Sequence, residues 1–282
     1  MQVSNLQLKE NLKRITQALR HQKLKEYTIK KQFTDISFDF VIGDTEAKEW
    51  YDSAPKNQIE SLNPEFSFIK QMLSPGDIVF ECGTHHGLTA MLLAYWVEET
   101  GKIVSFEINR KNAKIAQKNI KLNNINNVVI EEKGLGSQPS NLKIFNKSNA
   151  SVTPANIISS GWLKNFIYGT NEVEIITLDD YAAAKSIMPT FLKIDVEGYE
   201  TEVLKGATEI LKTRPKLEIE IHTEILDRYD TSVAEILDLI DIDSYQTWVQ
   251  WDDQLEPQPF DLEQKIERRV HLFAVPNDKI VP

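Results

Sequence analysis

The chain has 282 residues, 41% hydrophobic and 26% charged, which suits a globular protein with a substantial core and suggests neither a disordered chain nor a membrane protein. A formal net charge of −10 argues against a nucleic-acid partner, and the single cysteine, Cys82, excludes an internal disulfide framework and a cluster of thiolate ligands. No apolar run reaches the roughly 20 residues of a spanning helix, and the polar start "MQVSNLQLKENLKR" lacks the apolar core of a signal peptide, so a cytoplasmic chain without a transmembrane segment is expected.

Residues 1 to 31 carry eight Lys or Arg against Glu10 and Glu26, with Leu8, Leu12, Ile15 and Leu19 at helical spacing. This reads as a basic amphipathic helix that packs on the core or on a partner subunit, which would make a homo-oligomer; a membrane-surface helix fits less well, because the apolar face fades after Leu24. "ISFDFVIGD" alternates as a half-buried strand does, and "NPEFSFIKQML" reads as a helix entered past Pro64. Residues 1–72 are therefore expected to form an N-terminal cap, and 73–282 the main domain.

From "SPGDIVFECG" onward, short apolar runs alternate with helical stretches. The runs are "DIVFEC", "KIVSFE", "NVVIEE", "FLKIDV", "LEIEI", "TWVQW" and "HLFAVP", several of them rich in Val, Ile, Leu and Phe, as expected of strands covered on both faces. Asn109 is the expected N-cap of "RKNAKIAQKNIKLNN", and Asn123 and Asn124 allow its stop. "YETEVLKGATEILKTRP" reads as one helix ended by Pro215, and "SVAEILDLID" as another. The succession predicts an α/β, doubly wound, mostly parallel sheet. Residues 137 to 169 break the alternation: the stretch is rich in Ser and Asn but holds Trp162, Phe166 and Tyr168, which leaves a lid over the site and a plain surface hairpin as alternatives.

Ligands of such sheets bind beyond the carboxyl ends of the strands. Those ends offer Glu81, then Glu107, then Glu132 to Leu135 with Gly134, then Asp195 and Glu197, then Glu220 and His222. Glu107 stands 24 residues past Gly83, where an acid at the end of the second strand accepts hydrogen bonds from the hydroxyls of a ribose. The first loop has only Gly83 and Gly87 and places Glu81 near where phosphates would lie, which disfavours a dinucleotide. S-adenosylmethionine carries no phosphate but an ammonium, a sulfonium and a carboxylate, and fits this loop better.

The segment "LKIDVEGYETEVLKGATEILKTRPKLEIEIH" closely resembles the signature of the FkbM-type S-adenosylmethionine-dependent methyltransferases, and "PGDIVFECGTHHG", "NIKLNNINNVVI" and "TLDDY" fall in that family's order. The resemblance covers roughly residues 73 to 222. It implies a Rossmann-like, seven-stranded class I methyltransferase fold with a final antiparallel strand, and methyl transfer usually to oxygen. It assigns Glu107 to the ribose and Gly83 and Gly87 to the cofactor loop. Where the family usually reads Asp-Val-Gly-Ala-Asn-Ile-Gly, this chain reads Glu81, Cys82, Gly83, Thr84, His85, His86, Gly87, so His85 replaces an amide that commonly holds the methionyl end.

The expected cofactor contacts are thus Glu81, Gly83, Thr84, His85, Gly87, Glu107, Gly134 and Leu135. Asp195 is the candidate base or acceptor-orienting group, with Glu197, Glu220 and His222 completing the site. A second possibility gives Asp195, Glu220 and His222 a divalent cation that lowers the pKa of the acceptor. The expected substrate is a small molecule, a sugar, glycolipid precursor or polyketide-like metabolite methylated at a hydroxyl. The alternatives are N- or C-methylation on the same fold, or a non-catalytic ligand-binding module.

Overall fold

The computed structural model describes residues 24–33, 35–52, 62–145, 170–251 and 255–278. It opens with an antiparallel hairpin, β1 (Tyr27–Gln32) and β2 (Ser37–Ile42), in which Tyr27 faces Ile42 and Gln32 faces Ser37. Most of the expected basic helix lies outside the described residues. Its last turns, expected to run to 31, are strand instead, because β-branched Thr28 and Ile29 find a pairing partner in β2. Helix α1 (Thr45–Tyr51) begins at Asp44, whose side chain accepts from Ala47 N, and α2 (Pro64–Met72) begins at Asn63, which accepts from Phe66 N.

The remaining elements follow in the order β3 (Ile78–Cys82), α3 (Leu88–Trp96), β4 (Lys102–Phe106), α4 (Arg110–Leu122), β5 (Val128–Glu131), β6 (Gly134–Leu135), β7 (Ser140–Phe145) and β8 (Thr170–Ile176). Then come α5 (Leu178–Lys185), β9 (Phe191–Ile194), α6 (Glu200–Lys205), α7 (Thr208–Lys212), β10 (Lys216–Ile221), α8 (Val233–Leu239), β11 (Tyr245–Gln250), β12 (Gln258–Pro259) and β13 (Val270–Pro276). All seven apolar runs read from the sequence are strands. Asn109 caps α4 as expected, accepting from the backbone N–H of Lys111 and Asn112. The single helix expected after Tyr199 is two, broken at Gly206, where a side chain would stand 2.1 Å from the Gly136 carbonyl oxygen.

The main sheet runs β12-β11-β13-β10-β9-β3-β4-β5. Strands β10, β9, β3, β4 and β5 are parallel, and β13 is antiparallel to both its neighbours, β10 and β11. This is the class I methyltransferase arrangement with its reversed last strand; the two-residue β12, at the edge, makes eight strands where seven were expected. Chain order reverses between β3 and β9, so the connections leaving them part and open a crevice at their carboxyl ends. A second sheet, β6-β8-β7, flanks it. Its β7 and β8 bracket the aromatic-bearing stretch as an antiparallel pair, while Trp162, Phe166 and Tyr168 lie outside the described residues.

Because side chains alternate across a strand, Phe80, Val104 and Leu192 pack on one face of the sheet with Leu204, Leu211 and Ile236. Val79, Ile103 and Phe191 pack on the other face with Met91 and Leu92 of α3, and Phe38, Phe40 and Ile42 of β2 join the same cluster. The N-terminal hairpin therefore shares the core of the main sheet. It is also tied to α4: Asn119 Oδ1 accepts from Val41 N at 2.7 Å and Asn123 Oδ1 from Asp39 N at 2.9 Å.

Candidate active site

A cavity of about 1010 Å³ lies over the carboxyl ends of β3, β4, β9 and β10. Of the expected site residues, Gly83, Thr84, His85, Glu107, Gly134, Leu135, Asp195, Glu197, Glu220 and His222 all line it, whereas Glu81 and Gly87 do not.

The loop after β3 explains the division. Gly83 has φ +92°, and a Cβ there would lie 2.0 Å from the Asp195 carbonyl oxygen, so only glycine lets the ends of β3 and β9 come together. Gly87, at φ +84°, starts α3, and a Cβ there would press on Ala116 Cβ at 3.1 Å, so its role is to seat α3 against α4. Glu81 is fully buried under the loop and accepts a hydrogen bond from Ser105 Oγ at 2.5 Å. Burial raises its pKa to about 7, against the Ser105 bond and the Lys193 charge, which pull it down.

Glu107 closes β4. Its Oε2 accepts from His85 N at 2.8 Å and its Oε1 from Asn109 N at 2.7 Å, which fixes the carboxylate with lone pairs to spare. Burial nevertheless raises its pKa to about 7. His85 is held by α1: its Nδ1 lies 3.2 Å from the Tyr51 hydroxyl, its ring packs at 4.9 Å on Trp50, and it stacks at 4.1 Å on His86. Burial, then the neighbouring His86, lowers the His85 pKa to about 3, so the ring is neutral. His86 is fully buried against Asp44, with Nε2 at 3.3 Å from Oδ2.

The other end of the cavity holds the acids of β9 and β10. Burial opposes ionisation of Asp195, yet Lys193, His222 and His271 hold it below the ordinary carboxylate range. Glu220 behaves oppositely: burial and the Asp195 charge raise it to about 8, even though Arg269 pairs with it. His222 lies 3.5 Å from Glu220 and 3.8 Å from Glu197, and its Nδ1 bonds Glu200 Oε1 at 2.8 Å. Burial would lower its pKa, but the Glu200 bond and the surrounding carboxylates raise it to about 9. One ligand atom from each of Asp195, Glu220 and His222 falls within 4.8 Å of the others, the spacing a cation would need.

Sequence reasoning missed a charged row running under this site across the strands. Lys193 Nζ donates to Glu218 Oε2 at 2.7 Å, His271 Nδ1 bonds Glu218 Oε1 at 2.9 Å, and Glu65 of α2 approaches Lys193 to 3.6 Å. The signal was a lysine inside "FLKID" and a histidine opening "HLFAVP", charged groups in runs otherwise buried. Trp50, Tyr51 and Glu65 also line the cavity from the N-terminal segment, and no periodicity announced them.

Residues 81–247, more than half of the chain, match the family model described as the methyltransferase FkbM domain. The chain belongs to that family. This FkbM-domain protein is an S-adenosylmethionine-dependent methyltransferase. Residues 8–140 also match the model described as protein-L-isoaspartate(D-aspartate) O-methyltransferase. No curated protein matches the chain significantly. Among solved structures, it is similar to a SAM-dependent O-methyltransferase from Thermotoga maritima at 13% identity and TM-score 0.42, covering 89% of this chain and 78% of that one. It is similar to an O-methyltransferase from Bacillus cereus in complex with SAH at 16% identity and TM-score 0.41, covering 76% and 80%. It is also similar to an rRNA methylase from Streptococcus thermophilus at 12% and 0.42, covering 75% and 93%. At these scores the likeness carries no argument about substrate.

The residues of the FkbM-domain protein fit its cofactor. Glu107 offers a fixed carboxylate for ribose hydroxyls, beside apolar Phe106, Ile108 and Leu135 for a base. The Gly83 loop offers bare backbone with Glu81 beneath it, which suits cationic groups and opposes a pyrophosphate.

Proposed function

We propose that this methyltransferase acts on a hydroxyl oxygen of a small polar metabolite, in the class of sugars, glycolipid precursors and polyketide-like compounds. The observation that carries the reading is the convergence of Asp195, Glu220 and His222 in the same cavity as Glu107, with Asp195 drawn below the ordinary carboxylate range by Lys193, His222 and His271 and Glu220 pushed above it by burial and Asp195. When bound, S-adenosylmethionine supplies a methyl group on a sulfonium, already an activated leaving group. Asp195 then accepts the acceptor's hydroxyl proton in the course of transfer, and Glu220 with its partner Arg269 orients the acceptor oxygen. Lys193 and the His222 imidazolium stabilise the Asp195 charge, while Glu200 fixes the His222 ring. The described part of the N-terminal segment closes one wall of the cavity, supported by Trp50, Tyr51 and Glu65 in its lining. The net charge of −10 supports a small molecule over nucleic acid.

The test is methyl transfer from labelled S-adenosylmethionine to acceptor pairs that differ only in hydroxyl or amine. Label on the hydroxyl member, lost about 10²- to 10⁴-fold in Asp195→Asn, is expected; label confined to the amine refutes the reading. The spacing of Asp195, Glu220 and His222 favours a second reading, a divalent cation. Arg269 and a protonated His222 already supply positive charge there and compete with it. Turnover retained after dialysis against EDTA supports proton transfer by the protein alone, and turnover restored only by Mg²⁺ or Mn²⁺ supports the cation.

A further inference from the structure

Tyr51 belongs to α1, outside the strands that make the cofactor crevice, yet it lines the cavity together with Gly83, Glu107 and Asp195. Its hydroxyl bonds His85 Nδ1 at 3.2 Å, and its ring stands 5.8 Å from the His85 ring and 5.1 Å edge-on to Phe40, so both ends of the side chain are fixed. Trp50 packs edge-on to Tyr51 at 6.2 Å and on His85 at 4.9 Å, and also lines the cavity. Burial, then the charges of Asp195, Glu81, Asp44 and Glu107, raises the Tyr51 phenol far above its ordinary range. A neutral His85 adds no positive charge to this environment.

An aromatic ring in the wall of a cavity that also holds the carboxylates of Glu107 and Asp195 favours a cation at its face over a neutral atom of the same size. The two forms of the cofactor differ in that respect: the substrate form carries a sulfonium, and the product form carries a neutral thioether at the same sulfur. We propose that Tyr51, with Trp50 beside it, is a cofactor-binding residue whose ring recognises the sulfonium, so that the N-terminal segment distinguishes the methyl-bearing cofactor from its spent form. The inference rests on the cofactor site described above and extends it to a residue outside the crevice. The consequence is directional: the protein holds the charged cofactor and releases the neutral product.

The test compares dissociation constants by calorimetry for S-adenosylmethionine, S-adenosylhomocysteine and sinefungin, an analogue with an ammonium near the sulfonium position. The wild-type protein is expected to bind the two cationic ligands about fivefold or more tighter than the thioether. Tyr51→Leu is expected to bring the three constants together, whereas Tyr51→Phe, which keeps the ring, preserves the preference. Trp50 is 47% exposed and tolerates truncation, so Trp50→Leu checks the same ratio should Tyr51→Leu fail to fold. Equal wild-type binding of cation and thioether, or an unchanged ratio in both leucine variants, overturns the proposal while leaving the cofactor site intact. Failure of the wild-type protein to bind any of the three overturns the cofactor site itself and this proposal with it.

Discussion

Cofactor affinity is expected to depend on pH through Glu107. In the free protein burial raises this carboxyl to about 7, and both its oxygens already accept backbone N–H groups. A ribose adds two hydroxyl donors, which bond the ionised form, so binding must first remove the proton wherever the free protein carries it. With a pKa of about 7, the carboxyl is mostly ionised at pH 8 and about one-tenth ionised at pH 6. The dissociation constant for S-adenosylhomocysteine should therefore weaken about tenfold between pH 8 and pH 6. Glu107→Gln replaces an acceptor with an NH₂ that must face either His85 N or Asn109 N, and it removes the charge from both hydroxyl bonds. At about 1.5–3 kcal/mol for each hydrogen bond to a charged group, binding at pH 8 should weaken by about 10² to 10⁴. Calorimetric titration across the pH range, with proton release followed in two buffers of different ionisation enthalpy, is the assay. A constant that is flat from pH 8 to pH 6, with no proton release on binding, would refute the assignment of the ribose to Glu107.

Three further outcomes concern the framework. Gly83→Ala must relieve a 2.0 Å contact with the Asp195 carbonyl at a positive φ, so it should cost about 2–5 kcal/mol of stability and abolish S-adenosylhomocysteine binding, measured by denaturant unfolding and calorimetry. Lys193→Met leaves Glu218 and Glu65 buried without their shared cation and should lower stability by about 3–5 kcal/mol; a melting temperature within about 2 °C of wild type would show that the row is not held by charge. Glu81, with its folded pKa raised from 4.5 to about 7, favours folding most below pH 4.5, and that contribution is lost as pH rises toward 7. Glu81→Gln should therefore stabilise the protein by about 1–3 kcal/mol at pH 8 and gain nothing at pH 4.5, and urea unfolding at the two pH values distinguishes the cases.

The strands were legible because burial on both faces writes itself as short apolar runs, and the crevice followed from where those runs end. Glu107 and Asp195 were found that way. Their partners were not, because Lys193, Glu218 and His271 satisfy one another across strands that are distant in sequence. A lysine in "FLKID" shows only that something must compensate it. Glu81 and Gly87 were expected at the cofactor because they sit in the right loop, and only the structure shows Glu81 packed against Ser105 and Gly87 against Ala116, outside the cavity lining. Trp50 and Tyr51 could not be placed at the cavity for another reason: α1 has seven residues and one fully buried position, Ala47, too little pattern to reveal a face.

Helix α4 treats the N-terminal hairpin as though it were itself a strand. Asn119 and Asn123 stand one turn apart, a rise of about 6 Å, and Asp39 and Val41 stand two strand residues apart, about 7 Å. Each amide returns both bonds of a ladder rung: Asn119 receives Val41 N at 2.7 Å and gives to Val41 O at 3.5 Å, while Asn123 receives Asp39 N at 2.9 Å and gives to Asp39 O at 2.8 Å. Two side chains thereby counterfeit a neighbouring strand along β2. The free edge that invites another chain to add itself is closed at these two residues, and the register of the hairpin on the catalytic core is set by the pitch of a helix.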